Sequence, residues 1–173
     1  MSKRILLVDG NPILRVGLRE VLAASPNAAV VGEASRCSDA CAAVSRLHPD
    51  LVVFDLELED VCGGEVIQRF RERFPSLLAV IYTAKQEPEI IAEALACGIQ
   101  GYVLKTSPNQ RMREAVEHVA AGRAYLDPAI TATVLAQVAR PTQGPEERPP
   151  LSDKELAVLV LLASGRRNKQ IAA

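Results

Sequence analysis

The chain has no excess of charge of either sign: 20 Lys and Arg residues stand against 21 Asp and Glu, a net charge of −1. That excludes a global basic field drawing the molecule onto nucleic acid or a membrane surface. No apolar run approaches the roughly 18 residues a membrane helix requires. The opening Met1, Ser2, Lys3 and Arg4 lead straight into a short strand, without the apolar region and small-residue cleavage site of a signal peptide. The chain therefore reads as soluble and cytoplasmic. Cysteine is sparse and unpatterned: Cys37, Cys41, Cys62 and Cys97 form no CxxC pair, and the two histidines, His48 and His118, stand apart from them. Zinc-ligand spacing is thus absent, and no Ser-His-Asp arrangement can be drawn. Cys37 and Cys41, four residues apart on one helix face, read as small core-lining side chains. The loop Asp9-Gly10-Asn11-Pro12 lacks the glycine-rich phosphate cradle that a nucleotide-binding α/β domain carries after its first strand.

What is present is a regular alternation. With 49% hydrophobic residues in 173, the chain can bury a substantial core in one full domain, with length left for a smaller unit. Apolar strands are expected at about 4–9, 28–33, 51–55, 77–82 and 101–104. Helices are expected at about 12–24, 38–47, 65–74 and 87–97, and from Ser107-Pro108 to near Gly122. Asn11-Pro12 reads as an N-cap followed by the first helical residue, and His48-Pro49 as a stop. Strands that are apolar throughout are those covered on both faces. Helical crossovers of this length join parallel neighbours. The fold class is α/β, a doubly wound five-stranded parallel sheet in the order 2-1-3-4-5, with a switch point between strands one and three.

That order places four side chains on one rim. Asp9, Asp55, Thr83 and Lys105 each stand at the carboxyl end of an apolar strand. Such ends lie side by side in a parallel sheet. Two carboxylates, a hydroxyl and an ammonium gathered there suit the handling of a phosphoryl group on an aspartate.

These residues resemble the receiver domain of two-component response regulators, a flavodoxin- and CheY-like fold. The stretches 5–18 and 50–56, Tyr82-Thr83-Ala84 and 101–105 carry the resemblance in order, and it spans about residues 3 to 122. The segment from Leu151 through Ala172 resembles the opening of a LuxR-type helix-turn-helix, so the whole chain looks like the NarL/FixJ branch. The resemblance implies a regulator of transcription rather than an enzyme, with transfer onto its own aspartate at most. Asp55 would accept phosphoryl from a sensor histidine kinase, Lys105 would pair with the transferred group, and Thr83 would donate its hydroxyl to it. Tyr102 would move with Thr83. Mg²⁺ would be held by Asp9, Asp55 and the backbone carbonyl of Glu57. A second copy, and promoter DNA where the helix-turn-helix is complete, are the further implied partners.

Two departures qualify that picture. The family carries a second acid directly after Asp9, where this chain has Gly10. Mg²⁺ demands near-octahedral oxygen ligation, so losing a carboxylate predicts weaker metal binding and slower phosphorylation. The loop after Asp55 is acidic, with Glu57, Glu59 and Asp60. It reads as a solvated turn, or as a place where the Glu57 side chain partly replaces the missing ligand. The alternative function is an atypical receiver that works without phosphorylation, as a dimerisation or protein-interaction module.

Residues 1–124 form the receiver unit in this reading, and 125–150 an extra helix from Asp127-Pro128 followed by a linker with four prolines between Pro141 and Pro150. Residues 151–173 form the first part of the helix-turn-helix. Ser152 to Glu155 fit a capping box, and the basic residues are Arg166, Arg167 and Lys169. The recognition helix would follow Ala173, so the native chain is expected to continue.

Overall fold

The computed structural model describes residues 2–62, 64–131 and 134; for 61, 62, 64–66 and 69 only the backbone is described. The elements are β1 (Lys3–Val8), α1 (Pro12–Ala23), β2 (Ala28–Ala34), α2 (Cys37–Leu47), β3 (Leu51–Phe54), β4 (Glu57–Leu58), β5 (Val61–Cys62), α3 (Gly64–Arg73), β6 (Leu78–Thr83), α4 (Pro88–Ala96), β7 (Gly101–Leu104), α5 (Asn109–Ala120) and β8 (Tyr125–Leu126). The main sheet runs β2-β1-β3-β6-β7-β8, and every pairing in it is parallel. Its first five strands have the expected order.

Two features go beyond the expected pattern. β8 adds a sixth strand on the edge of β7, pairing Gly101 with Tyr125 and Tyr102 with Leu126. β4 and β5 form a separate antiparallel hairpin beyond the end of β3. Two-residue strands carry too little periodicity to be read from a sequence. The helix expected from Asp127-Pro128 does begin there, since 128–131 and 134 are helical. The linker and the helix-turn-helix segment lie outside the described residues.

Alternation along the strands builds the two layers. Ile5, Leu7, Leu51, Val53, Val80 and Val103 face a cluster completed by Leu18 and Leu22 of α1 and by Met112, Val116 and Val119 of α5. Leu6, Val8, Val52, Phe54, Ile81, Tyr102 and Leu104 face the other side, with residues of α2, α3 and α4 and with Ile130 and Val134. The local signals behave as their chemistry requires. The Asn11 side chain accepts from the Ile13 and Leu14 amides at 2.9 and 3.4 Å, with Pro12 opening α1. His48 takes a left-handed conformation at φ 46° and ends α2. Cys37 is buried, and Cys41 and Cys97 pack against the same core. No helix among the described residues is long and apolar enough to cross a membrane.

Gly101 sits where β7 passes under α5. A Cβ there would stand 2.9 Å from Val80 Cγ2 and 3.3 Å from Val119 Cγ2. Gly101→Ala is therefore expected to cost about 1–3 kcal/mol through overpacking, read as a lower urea midpoint at unchanged m-value. An unchanged midpoint would mean that the two valines yield freely.

Candidate phosphoryl-transfer site

The sheet brings the expected side chains together through its backbone bonds. Val8 of β1 pairs with Phe54 of β3, and Thr83 of β6 pairs with Leu104 of β7. One residue further, the Asp9 amide donates to the Ala34 carbonyl at 3.1 Å, the Asp55 amide to Val8 at 2.9 Å and the Lys105 amide to Thr83 at 2.8 Å. Each functional residue is thus fixed at the end of its strand, where the ladder gives way to loop.

Asp9, Asp55 and Thr83 are all buried. Lys105 joins the two acids: its Nζ lies 2.6 Å from Asp55 Oδ2 and 2.7 Å from Asp9 Oδ2. Burial pulls the Lys105 ammonium toward neutrality, but its hydrogen bonds to Asp55 and Asp9 outweigh that and hold its pKa above the ordinary lysine value. The ammonium also stands 5.9 Å from the Tyr82 ring centroid, within cation–π range. Asp9 Oδ1 accepts from the Asn11 amide at 2.8 Å. One buried carboxylate oxygen, Asp55 Oδ1, has no donor at all, while Asp9 Oδ2 is met only by the Lys105 ammonium.

An orphaned buried acceptor calls for a ligand. Oxygen atoms from two carboxylates suit a hard divalent cation, so the residues present fit Mg²⁺ as a partial set. Asp9 and Asp55 would hold it, with the Glu57 carbonyl and waters. A cation there would neutralise charge on a phosphoryl group. Among the described residues no third acidic, histidine or cysteine side chain joins the cluster.

The acidic loop is not an unpartnered turn. Glu57 pairs with Lys85 at 3.1 Å, and Glu59 with Arg36 at 2.9 Å. Asp60 accepts from the Cys37 and Ser38 amides at 2.8 and 3.0 Å, and these bonds hold its carboxyl below the usual range. It thereby caps α2, whose own N-cap residue, Arg36, makes no such bond.

Tyr102 is fully buried. Its hydroxyl donates to the Lys85 carbonyl at 3.0 Å. Burial pushes the phenol far up. Thr83 Oγ1 accepts a long bond, 3.4 Å, from the Lys85 amide. Lys85 is thus a site residue that the sequence alone did not single out. Arg15 is another: its Nη1 donates to the Asp9 carbonyl at 2.6 Å while its Nε holds Glu33 at 3.0 Å. Neither carries a local pattern that would mark it. Arg166, Arg167 and Lys169 lie outside the described residues.

Comparison with known proteins agrees with this geometry. Residues 5–117 match the response regulator receiver domain. The DNA-binding transcriptional activator DevR/DosR of Mycobacterium tuberculosis is 35% identical over 169 residues, covering 98% of this chain and 78% of that protein. The nitrate/nitrite response regulator NarL of Escherichia coli K12 is 34% identical, covering 97% and 78%. A crystal structure of a LuxR-family two-component response regulator from Aurantimonas sp. SI85-9A1 superposes with a TM-score of 0.77 at 31% identity, over 81% of this chain and 100% of that one. With its acid–lysine rim on a doubly wound sheet and relatives of this kind along nearly its whole length, the chain belongs to the response regulator receiver family, among the NarL-type regulators of transcription in two-component systems.

Proposed function

We propose that Asp55 is the phosphoacceptor of this regulator. The observation that carries the reading is the orphaned, buried Asp55 Oδ1, on a carboxylate whose other oxygen is held by Lys105. The free oxygen attacks phosphorus of a kinase phosphohistidine. An O–P bond forms, the P–N bond breaks, and the imidazole leaves with its electron pair. Little covalent work falls to the protein in such a transfer, and positioning and charge stabilisation do the rest. Lys105, already between the carboxylates, supplies a point charge to the phosphoryl oxygens. Thr83, whose hydroxyl hydrogen is free to rotate, donates to one of them, and Tyr102 moves with it through its bond to the Lys85 carbonyl. The kinase meets the rim at α1, whose Ile13 and Val16 are exposed large apolar side chains.

Gly10 leaves the cation with two carboxylates, so Mg²⁺ binds weakly and phosphorylation is slow. The output is DNA binding by the helix-turn-helix units of a dimer, in keeping with the DNA-binding activator DevR/DosR among the relatives. Intact mass after incubation with acetyl phosphate and Mg²⁺, beside Asp55→Asn, tests the core of this reading. A phosphate-sized gain in the parent alone is the expected result. No gain in either chain would overturn it and leave the phosphorylation-independent interaction module.

A further inference from the structure

Five polar residues are buried among those described: Asp9, Ser25, Asp55, Thr83 and Asp127. Three belong to the rim. Ser25 bonds Glu117 at 3.2 Å, in the turn between α1 and β2. Asp127 remains, only 1% exposed, and no ion pair found among the described residues includes it. A buried carboxyl must be met by hydrogen bonds or carry a large penalty.

Its bonds reach two elements. Oδ1 accepts from the Ala129 amide at 3.0 Å, and Oδ2 from the Leu104 amide at 3.2 Å. Its own amide donates to the Tyr102 carbonyl at 2.9 Å, and its carbonyl accepts from the Ile130 amide at 3.0 Å and the Thr131 hydroxyl at 3.1 Å. Capping the helix that starts at Pro128 accounts for the Ala129 bond. It does not account for Leu104, on β7 and 23 residues earlier. The β7–β8 ladder stops after Tyr102 and Leu126. At the next rung the chain turns into helix, and the Asp127 carboxylate takes the place of the missing backbone acceptor.

The strand it grips is the one that carries the site. Leu104 immediately precedes Lys105, and Tyr102 joins Asp127 through its carbonyl and the Lys85 loop through its hydroxyl. Ile130 and Val134, beyond Asp127, lie in the same apolar cluster as Tyr102, Leu104, Ile91 and Ile99. Packed interiors respond to such pulls by changing between discrete arrangements rather than by stretching.

We propose that Asp127 is a latch that couples the Asp55–Lys105 pocket to the segment 125–131. Through it, the state of the pocket reaches the chain that leads to the output domain along strand β7. This deepens the phosphoacceptor reading, but its test does not depend on phosphorylation. Asp127 acts through Lys105 and Leu104, so it is a positioning residue, and by linkage the effect runs in both directions.

The experiment is amide hydrogen exchange of the full chain in four forms: parent, Lys105→Met, Asp127→Ser and the double variant. Serine still caps a helix but is too short to reach the Leu104 amide. Lys105→Met in the parent background is expected to speed exchange across 124–131 at least fivefold more than across β2. In the Asp127→Ser background the same change should add less than twofold. Three results would overturn the latch: exchange at 124–131 unmoved by Lys105→Met, a uniform rise including β2, or the full fivefold effect surviving in Asp127→Ser. Should the serine variant not fold, Asp127→Asn serves instead, since its amide group turns a donor toward one of the two backbone donors. Loss of phosphorylation with this coupling intact would sink the phosphoacceptor reading alone.

Discussion

Lys105→Met is expected to lower the stability of the metal-free protein by about 3 kcal/mol, and Mg²⁺ in excess is expected to restore much of that loss. Removing one partner of a buried ion pair leaves an uncompensated charge, at a cost of about 3–5 kcal/mol. Here the ammonium serves two carboxylates at once, at 2.6 and 2.7 Å. Both acid side chains are 4% exposed and the lysine 16%, so the low end of that range applies at a rim that water can reach. Without Lys105, Asp9 and Asp55 repel each other and bind any available cation more readily. A ligand that binds only the folded form stabilises it by RT ln(1 + c/Kd), with c its free concentration, a gain that grows as ligand is added. Urea unfolding in EDTA and in Mg²⁺ measures both effects. Equal stability of parent and variant in EDTA would refute the central role of the lysine, and a deficit that Mg²⁺ leaves untouched would refute the cation's place between the acids.

Gly10→Asp is the second large effect. The substitution is expected to tighten Mg²⁺ binding at least tenfold and to speed phosphorylation by acetyl phosphate in the same direction. Space permits it: beyond its chain neighbours, a Cβ at Gly10 would meet only the Ser35 carbonyl, at 4.0 Å, and Gly10 is not among the glycines with positive φ. A third carboxylate beside Asp9 and the orphaned oxygen of Asp55 completes a set nearer to what an octahedral cation needs. Tenfold corresponds to about 1.4 kcal/mol, well within what one carboxylate contributes. The same carboxylate adds repulsion when no metal is bound, so the variant should be less stable than the parent in EDTA. Isothermal titration with Mg²⁺ decides the point: an unchanged affinity would mean that the added acid does not reach the ion, and that Gly10 is not what weakens the site.

The rim was legible in the sequence because a parallel sheet lines up the residues at the carboxyl ends of its strands. Once 4–9, 51–55, 77–82 and 101–104 read as apolar strands, Asp9, Asp55, Thr83 and Lys105 had to share one edge. The Asn11 cap and the His48 stop were legible for a similar reason, since their chemistry acts within a turn of the residue itself. The partners of the acidic loop were not legible. Asp60 caps a helix that begins more than 20 residues earlier, and Glu57, shortly after β3, meets Lys85, shortly after β6. Such pairs depend on which loops the fold brings together, and no spacing in the chain encodes them.

By itself, then, the sequence determined the strand and helix order, the two-sided burial of the sheet and the side chains on its carboxyl edge. Periodicity and strand-end chemistry act within a few residues, and a doubly wound sheet converts them into position with almost no freedom left. Only the tertiary structure decided that Lys105 bridges both acids, that Tyr102 lies wholly inside, and that a sixth strand and the Asp127 carboxylate clasp β7. Each of these depends on the relative height of neighbouring strands and on the path of a loop, which are set by packing across the whole core.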